Sequence, residues 1–262
     1  MTRSISAPER PLWQRILVGC GVAIFWPAVW YALAAWVNKP YLLPGPQAVA
    51  VTLFGLCRTA AFWQAAALSL LRVVAGFAAA VVTGCLLAVL TVRFRMLRAM
   101  IAPLLRIIRC VPVASFILLA FIWIKSQMLP GVIAFLMVLP LIWGNVEKGL
   151  RQTDVRLLEL ARVCRLSPGR TWLHIRIPSV MPYLLPAMTT GLGFAWKSGV
   201  AAEVIGHTAG SIGQHMYEAK LYIEMPELFA WTVLIVVLSL GIEALLTMLL
   251  RRVARRFPEV TG

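Results

Sequence analysis

Long apolar runs organise this chain. They cover Ile16–Val37, Leu68–Val92, Val111–Ile124, Gly131–Val146, Leu184–Ile205 and Leu228–Leu250. About 20 apolar residues make a helix long enough to cross a hydrocarbon core of roughly 30 Å. The third and fourth runs are shorter than that, and their ends are the least defined. The pattern predicts an all-α polytopic membrane protein with about six transmembrane helices. Between the first two runs, Asn38-Lys39-Pro40 and Leu43-Pro44-Gly45-Pro46 form a cluster that no helix can cross. A moderately apolar segment then leads to Trp63, so this stretch reads as an elbow with a short surface helix. Gly76 and Gly84, with Ala78, Ala79 and Ala80, give the second span a side small enough for close helix contact. Pro112 and Pro140 stand in or beside apolar runs, where proline kinks a helix and frees carbonyls. Broken helices of this kind line cavities in transporters, and they also serve as plain packing kinks. There is no internal repeat.

Composition agrees with the pattern. Hydrophobic residues make up 61% of the 262 and charged residues 13%, and the mean hydropathy is +0.84, values outside the range of a soluble domain. The net charge of +15 would suit nucleic acid, but no aromatic-and-basic strip or recognition module accompanies it. The basic residues follow membrane topology instead. Nineteen of the 25 fall in four segments, before the first span, around Arg93–Arg109, within Lys148–Arg176 and after Leu250. The positive-inside rule then puts both termini in the cytoplasm, as an even number of spans requires. The first span is too long for a signal-peptide core and lacks a small-x-small cleavage site, so it is expected to be retained. Five single cysteines without a C-x-x-C pair indicate neither a zinc site nor a redox motif.

The one sizeable polar stretch between spans is 147–178. Asp154, Leu157, Leu158, Ala161 and Val163 recur at helical spacing, with Asp154 at the positive N-terminal end. Ser167-Pro168-Gly169 interrupts this helix, and Thr171–Ile177 is expected to form a second one stopped by Pro178. A cytoplasmic hairpin with one apolar side suits docking of another protein; with seven basic residues it also suits anionic membrane lipid.

Here the residues resemble a family. Permease subunits of binding-protein-dependent ABC importers carry E-A-A, three residues, G, nine residues, I-x-L-P at this place. Glu159-Leu160-Ala161, Ile175, Ile177 and Pro178 match it. Leu43-Pro44-Gly45-Pro46, Ser69-Leu70-Leu71-Arg72 with Gly76-Phe77, Pro112, and Ala195-Trp196-Lys197 with Glu203 look like the nitrate/sulfonate/taurine branch. The resemblance implies a type I importer permease of the bacterial inner membrane, with an N-terminal part over 1–65, a five-helix core over 66–252 containing the coupling loop 147–178, and a cytoplasmic tail over 253–262. It implies a loop of Glu159, Ala161, Arg165, Gly169, Ile175 and Pro178 that docks on an ATPase. It also implies a second copy of the chain, two cytoplasmic ATPase subunits that bind the ATP, and an extracytoplasmic solute-binding protein. One departure is that the family's glycine falls at Arg165. A glycine there permits a left-handed turn that arginine adopts at a cost of roughly 1 kcal/mol, and Gly169 is expected to supply the turn instead.

Charges within the spans are the remaining candidates. Arg72, near one end of its span, can snorkel to the headgroups. Lys197 and Glu203 stand six residues apart, on largely different sides of one helix. Together with Trp196 they are candidates for a translocation path in which Lys197 faces an anionic solute. The competing reading is that Lys197 bridges to Glu243 or Glu147. Glu203, His207 and His215 could be drawn as a metal site, but two or three ligands without a second cluster are a weak signal. Gly206, Gly210 and Gly213 suggest an external turn or re-entrant loop, with a polar connection over Glu218–Glu227. The run Gly191–Ser198 approaches a phosphate loop, but Trp196 stands where a glycine is required. No acid dyad, nucleophile triad or cofactor motif is found. The expected function is ATP-driven import of a small anionic solute; the alternative is an ion-coupled carrier or membrane enzyme using Lys197 and Glu203.

Overall fold

The computed structural model describes residues 12–254, all helix and turn. The expected basic tails before Leu12 and after Ala254 lie outside the described residues. The helices are α1 (Leu12–Val37), α2 (Pro46–Cys57), α3 (Ala60–Arg93), α4 (Arg95–Cys110), α5 (Val113–Trp123), α6 (Leu129–Arg151), α7 (Val155–Val163), α8 (Pro168–Thr171), α9 (Ile177–Ile205), α10 (Ile212–Leu221) and α11 (Met225–Ala254). Among the described residues, α3, α6 and α11 are long and apolar enough to cross a membrane by length and composition, and α4 with α5 makes a fourth if that bent pair counts as one span. The runs expected as the first and fifth spans fall on α1 and α9.

The elbow helix forms as α2, with Pro46 in its first turn, where a missing N–H costs nothing. The second span begins at Ala60, eight residues before the apolar run. Thr59 caps it by accepting a bond from the Phe62 amide at 3.4 Å, and the alanines that follow favour helix. The third run forms one short helix, α5, set at a sharp bend to the α4 helix before it. Val111 is extended, Pro112 caps α5, and the axes of α4 and α5 meet at 109°. The fourth runs from Leu129 to Arg151, through Pro140.

The core lies where α3, α6 and α9 pack. A Cβ on Gly76 would stand 2.1 Å from the Gly131 carbonyl oxygen, so only glycine lets these backbones approach. Gly84 meets the Ile142 side chain in the same way. Of the small side expected on α3, Gly76 and Gly84 make the contact with α6 and Ala80 is buried, while Ala78 and Ala79 are exposed. Across that contact, the buried Trp143 indole donates to Thr91 at 3.0 Å.

The second hairpin helix departs from expectation. α8 passes through a wider turn over Trp172–Arg176 into α9, and Pro178 sits in the first turn of α9 and does not end a helix. The chain stays helical from Pro168 through this turn and past Pro178. The stretch expected as a polar loop is also partly helical, because α10 covers Ile212–Leu221 and packs against α9 and α11. The chain turns through His207 and Gly210, both at positive φ, before α10, and through Ile223 after it.

Candidate functional site

Two regions carry the chemistry. The first is the hairpin of α7 and α8. The Asp154 carboxylate caps α7 by accepting a bond from the Arg156 amide at 2.8 Å. At the other end Arg165 adopts φ 49°. The Leu166 amide donates to the Ala161 carbonyl at 2.9 Å and the Arg165 amide to Arg162 at 3.0 Å, so the helix ends in a left-handed cap. Gly169 has no positive φ. The expectation that Gly169 supplies the turn is thus corrected: Arg165 makes it, held by these two bonds.

Of the helix itself only Ala161 is buried. Val155, Leu160 and Val163 are more than half exposed, as is Leu173 beyond the turn, and Glu159 stands exposed among them. Ile175 and Pro178 are half-buried where the hairpin joins α9. The hairpin thus presents several apolar side chains that nothing within the described residues covers.

The second region is a set of buried charges. Glu203 on α9 is wholly buried. Its carboxylate accepts a 2.8 Å bond from the Ser69 hydroxyl and a 3.2 Å bond from the Gly213 amide, and it lies 4.0 Å from the Arg72 guanidinium. Ser69 also accepts from the Ile212 amide at 3.0 Å, and Arg72 donates to the Ala209 carbonyl at 3.2 Å. The snorkelling expected of Arg72 is corrected: its guanidinium turns inward because a buried carboxylate awaits it. The cluster joins α3, α9 and α10 at one end of the bundle. A Cβ on Gly213 would lie 2.3 Å from that of Glu203, so the close approach requires glycine.

At the opposite end, the buried Glu147 receives Arg98 at 2.5 Å and Arg151 at 2.9 Å. Arg109 donates to the Pro140 carbonyl, in space left by Gly144. Only the i,i+4 spacing of Glu147 and Arg151 could have signalled any of these contacts in the sequence.

The path candidates separate. Trp196 is buried and its indole donates to the Ile235 carbonyl on α11 at 3.2 Å. Glu203 faces the interior. Lys197 is exposed on α9, on the side that also exposes Pro186, Thr190 and Phe194. The expected bridge from Lys197 is corrected within the protomer, since Glu147 is taken by two arginines, Glu243 is exposed, and no carboxylate of the described residues lies within 4.0 Å of Lys197. Glu203, His207 and His215 are engaged separately: His207 packs edge-on against Tyr217 and His215 stacks on Trp231.

The arrangement is that of a polytopic bundle of apolar helices with a largely exposed hairpin at one end. The solved structure of an inward-facing MetNI methionine ABC transporter has the same fold, with a TM-score of 0.54 at 21% identity over 76% of this chain and 94% of that one. An amino acid ABC transporter gives a TM-score of 0.56 at 16% identity over 72% and 90%. The type I importer fold is therefore established. A family model described as the binding-protein-dependent transport system inner membrane component matches residues 80–257, and the chain belongs to that family. A probable ABC transporter permease protein of Brucella melitensis is 29% identical over 91% of this chain and 98% of its own length. A bicarbonate transport system permease protein of Synechococcus elongatus is 28% identical over 60% of this chain and 57% of its own length. The chain is accordingly an ABC importer permease subunit and a multi-pass membrane protein, and its relatives are transport components rather than enzymes.

Proposed function

We propose that this permease moves a small anionic solute into the cell as a homodimer, driven by two cytoplasmic ATPase subunits and supplied by an extracytoplasmic solute-binding protein. ATP binds to the ATPase partners, and both termini of this chain lie in the cytoplasm, on the side where its arginines concentrate. The observation that carries the reading is the hairpin, whose bare apolar residues surround the exposed Glu159. A surface of that kind transmits force when a groove of opposite charge grips it: Glu159 meets basic residues, and the leucines and valines fill the groove.

Lys197 supports the anionic substrate. It stands exposed, and unbridged among the described residues, on a side of α9 that a second copy would complete into a path, and an intramembrane cation of this kind serves a ligand or a pathway. A relative named for bicarbonate transport agrees with an anion. The test is reconstitution with the ATPase and binding protein in vesicles. ATP-dependent uptake of anions such as bicarbonate, nitrate or an alkanesulfonate supports the proposal, and uptake confined to cations contradicts it.

A further inference from the structure

We propose that α4 and the end of α6 form a binding site for an anionic phospholipid, whose phosphate sits among four arginines while its acyl chains cover a bare apolar stripe beside them. This site lies apart from the substrate path and does not rest on the substrate assignment.

Three sides of α4 differ in kind. One faces the bundle through the buried Leu105 and Ile108. The next, carrying Arg95, Arg98 and Arg106, lines a cavity of about 600 Å³ closed by Arg151 of α6. Ala99, Ala102 and Pro103 form its floor and leave room for a bulky anion. The third exposes Met96, Met100, Leu104 and Ile107, by 79%, 66%, 54% and 57%. These follow a spacing of three to four residues and so make one stripe along the helix, about a third of a turn from the basic side.

The charge is unbalanced. Glu147 pairs with Arg98 and Arg151, whereas Arg95 and Arg106 have no carboxylate of the described residues within 4.0 Å. The cavity therefore attracts an anion, and an arginine fork suits phosphate oxygens.

The apolar stripe decides what bears that anion. A free phosphate would leave four large apolar side chains uncovered, whereas a phospholipid satisfies both surfaces at once. The 109° bend at Val111-Pro112 supports this, because it turns α4 across the direction of α5. A helix in the plane of the interface places its apolar side toward acyl chains and its basic side among headgroups.

The test uses the detergent-purified full chain, with Tm followed during titration by phosphatidylglycerol, phosphatidylcholine or inorganic phosphate. Phosphatidylglycerol should raise Tm saturably while the other two leave it unchanged. The Arg95→Gln/Arg106→Gln variant alters two exposed side chains, so it should keep the Tm of the lipid-free protein and need about thirtyfold more phosphatidylglycerol. Met100→Asn/Leu104→Asn, which leaves the arginines in place, should also weaken the response. An equal response to phosphatidylcholine, the same shift from inorganic phosphate, or an unchanged titration in either variant overturns the proposal.

Discussion

The Glu203 carboxylate on α9 lies 4.0 Å from the Arg72 guanidinium on α3, with Ser69 and the Gly213 amide completing its surroundings. A buried charge stripped of its partner is costly, about 3–5 kcal/mol, while removing both charges together costs far less. Arg72→Met should therefore lower Tm in detergent markedly, and adding Glu203→Gln should recover much of the loss. Additive losses in the double variant would show that the two residues do not act as a pair.

The contact of α3 with α6 depends on Gly76. Its substitution by alanine puts a methyl against the Gly131 carbonyl, and overpacking of this kind costs about 1–3 kcal/mol. Gly76→Ala should lower Tm, whereas Gly21→Ala, where nothing lies within 4 Å of the added Cβ, should not. Thermal unfolding of the two variants side by side checks this.

Arg165 holds a left-handed conformation that favours glycine. Arg165→Gly should relieve about 1 kcal/mol of backbone strain and leave the fold unchanged. Hydrogen exchange at the Leu166 amide, which closes the cap, should slow or stay level; faster exchange would mean that the arginine side chain holds the turn.

Much of the fold was legible because membrane helices announce themselves by apolar length. The glycines of α3, the elbow helix and the place of the hairpin followed from residue size and turn chemistry. The ends did not. Thr59 sets a helix start through a local bond that hydropathy ignores, and α8 runs into α9 past Pro178 through a turn without a sequence signature. Within the site, the bond from the Trp196 indole to Ile235 joins helices distant in sequence and had no signal in the chain. Arg72 and Glu203 were each notable alone, but which charges meet depends on how α3 and α9 pack, and one sequence does not encode that visibly.

Lys197 separates transport from stability. It is exposed and unbridged within the described residues, so Lys197→Ala should leave Tm within experimental scatter while uptake in vesicles falls several-fold, and Lys197→Arg should restore part of it. A large loss of Tm would end the path assignment for this residue.

Co-purification of the ATPase with the Glu159→Lys variant tests most directly whether the α7–α8 hairpin couples this permease to an ATPase. Glu159 is exposed, so the variant should insert and melt like the parent. Reversing its charge in a basic groove should release the ATPase and abolish ATP-driven uptake. Full retention of the ATPase with normal uptake would show that the hairpin does not couple the two subunits.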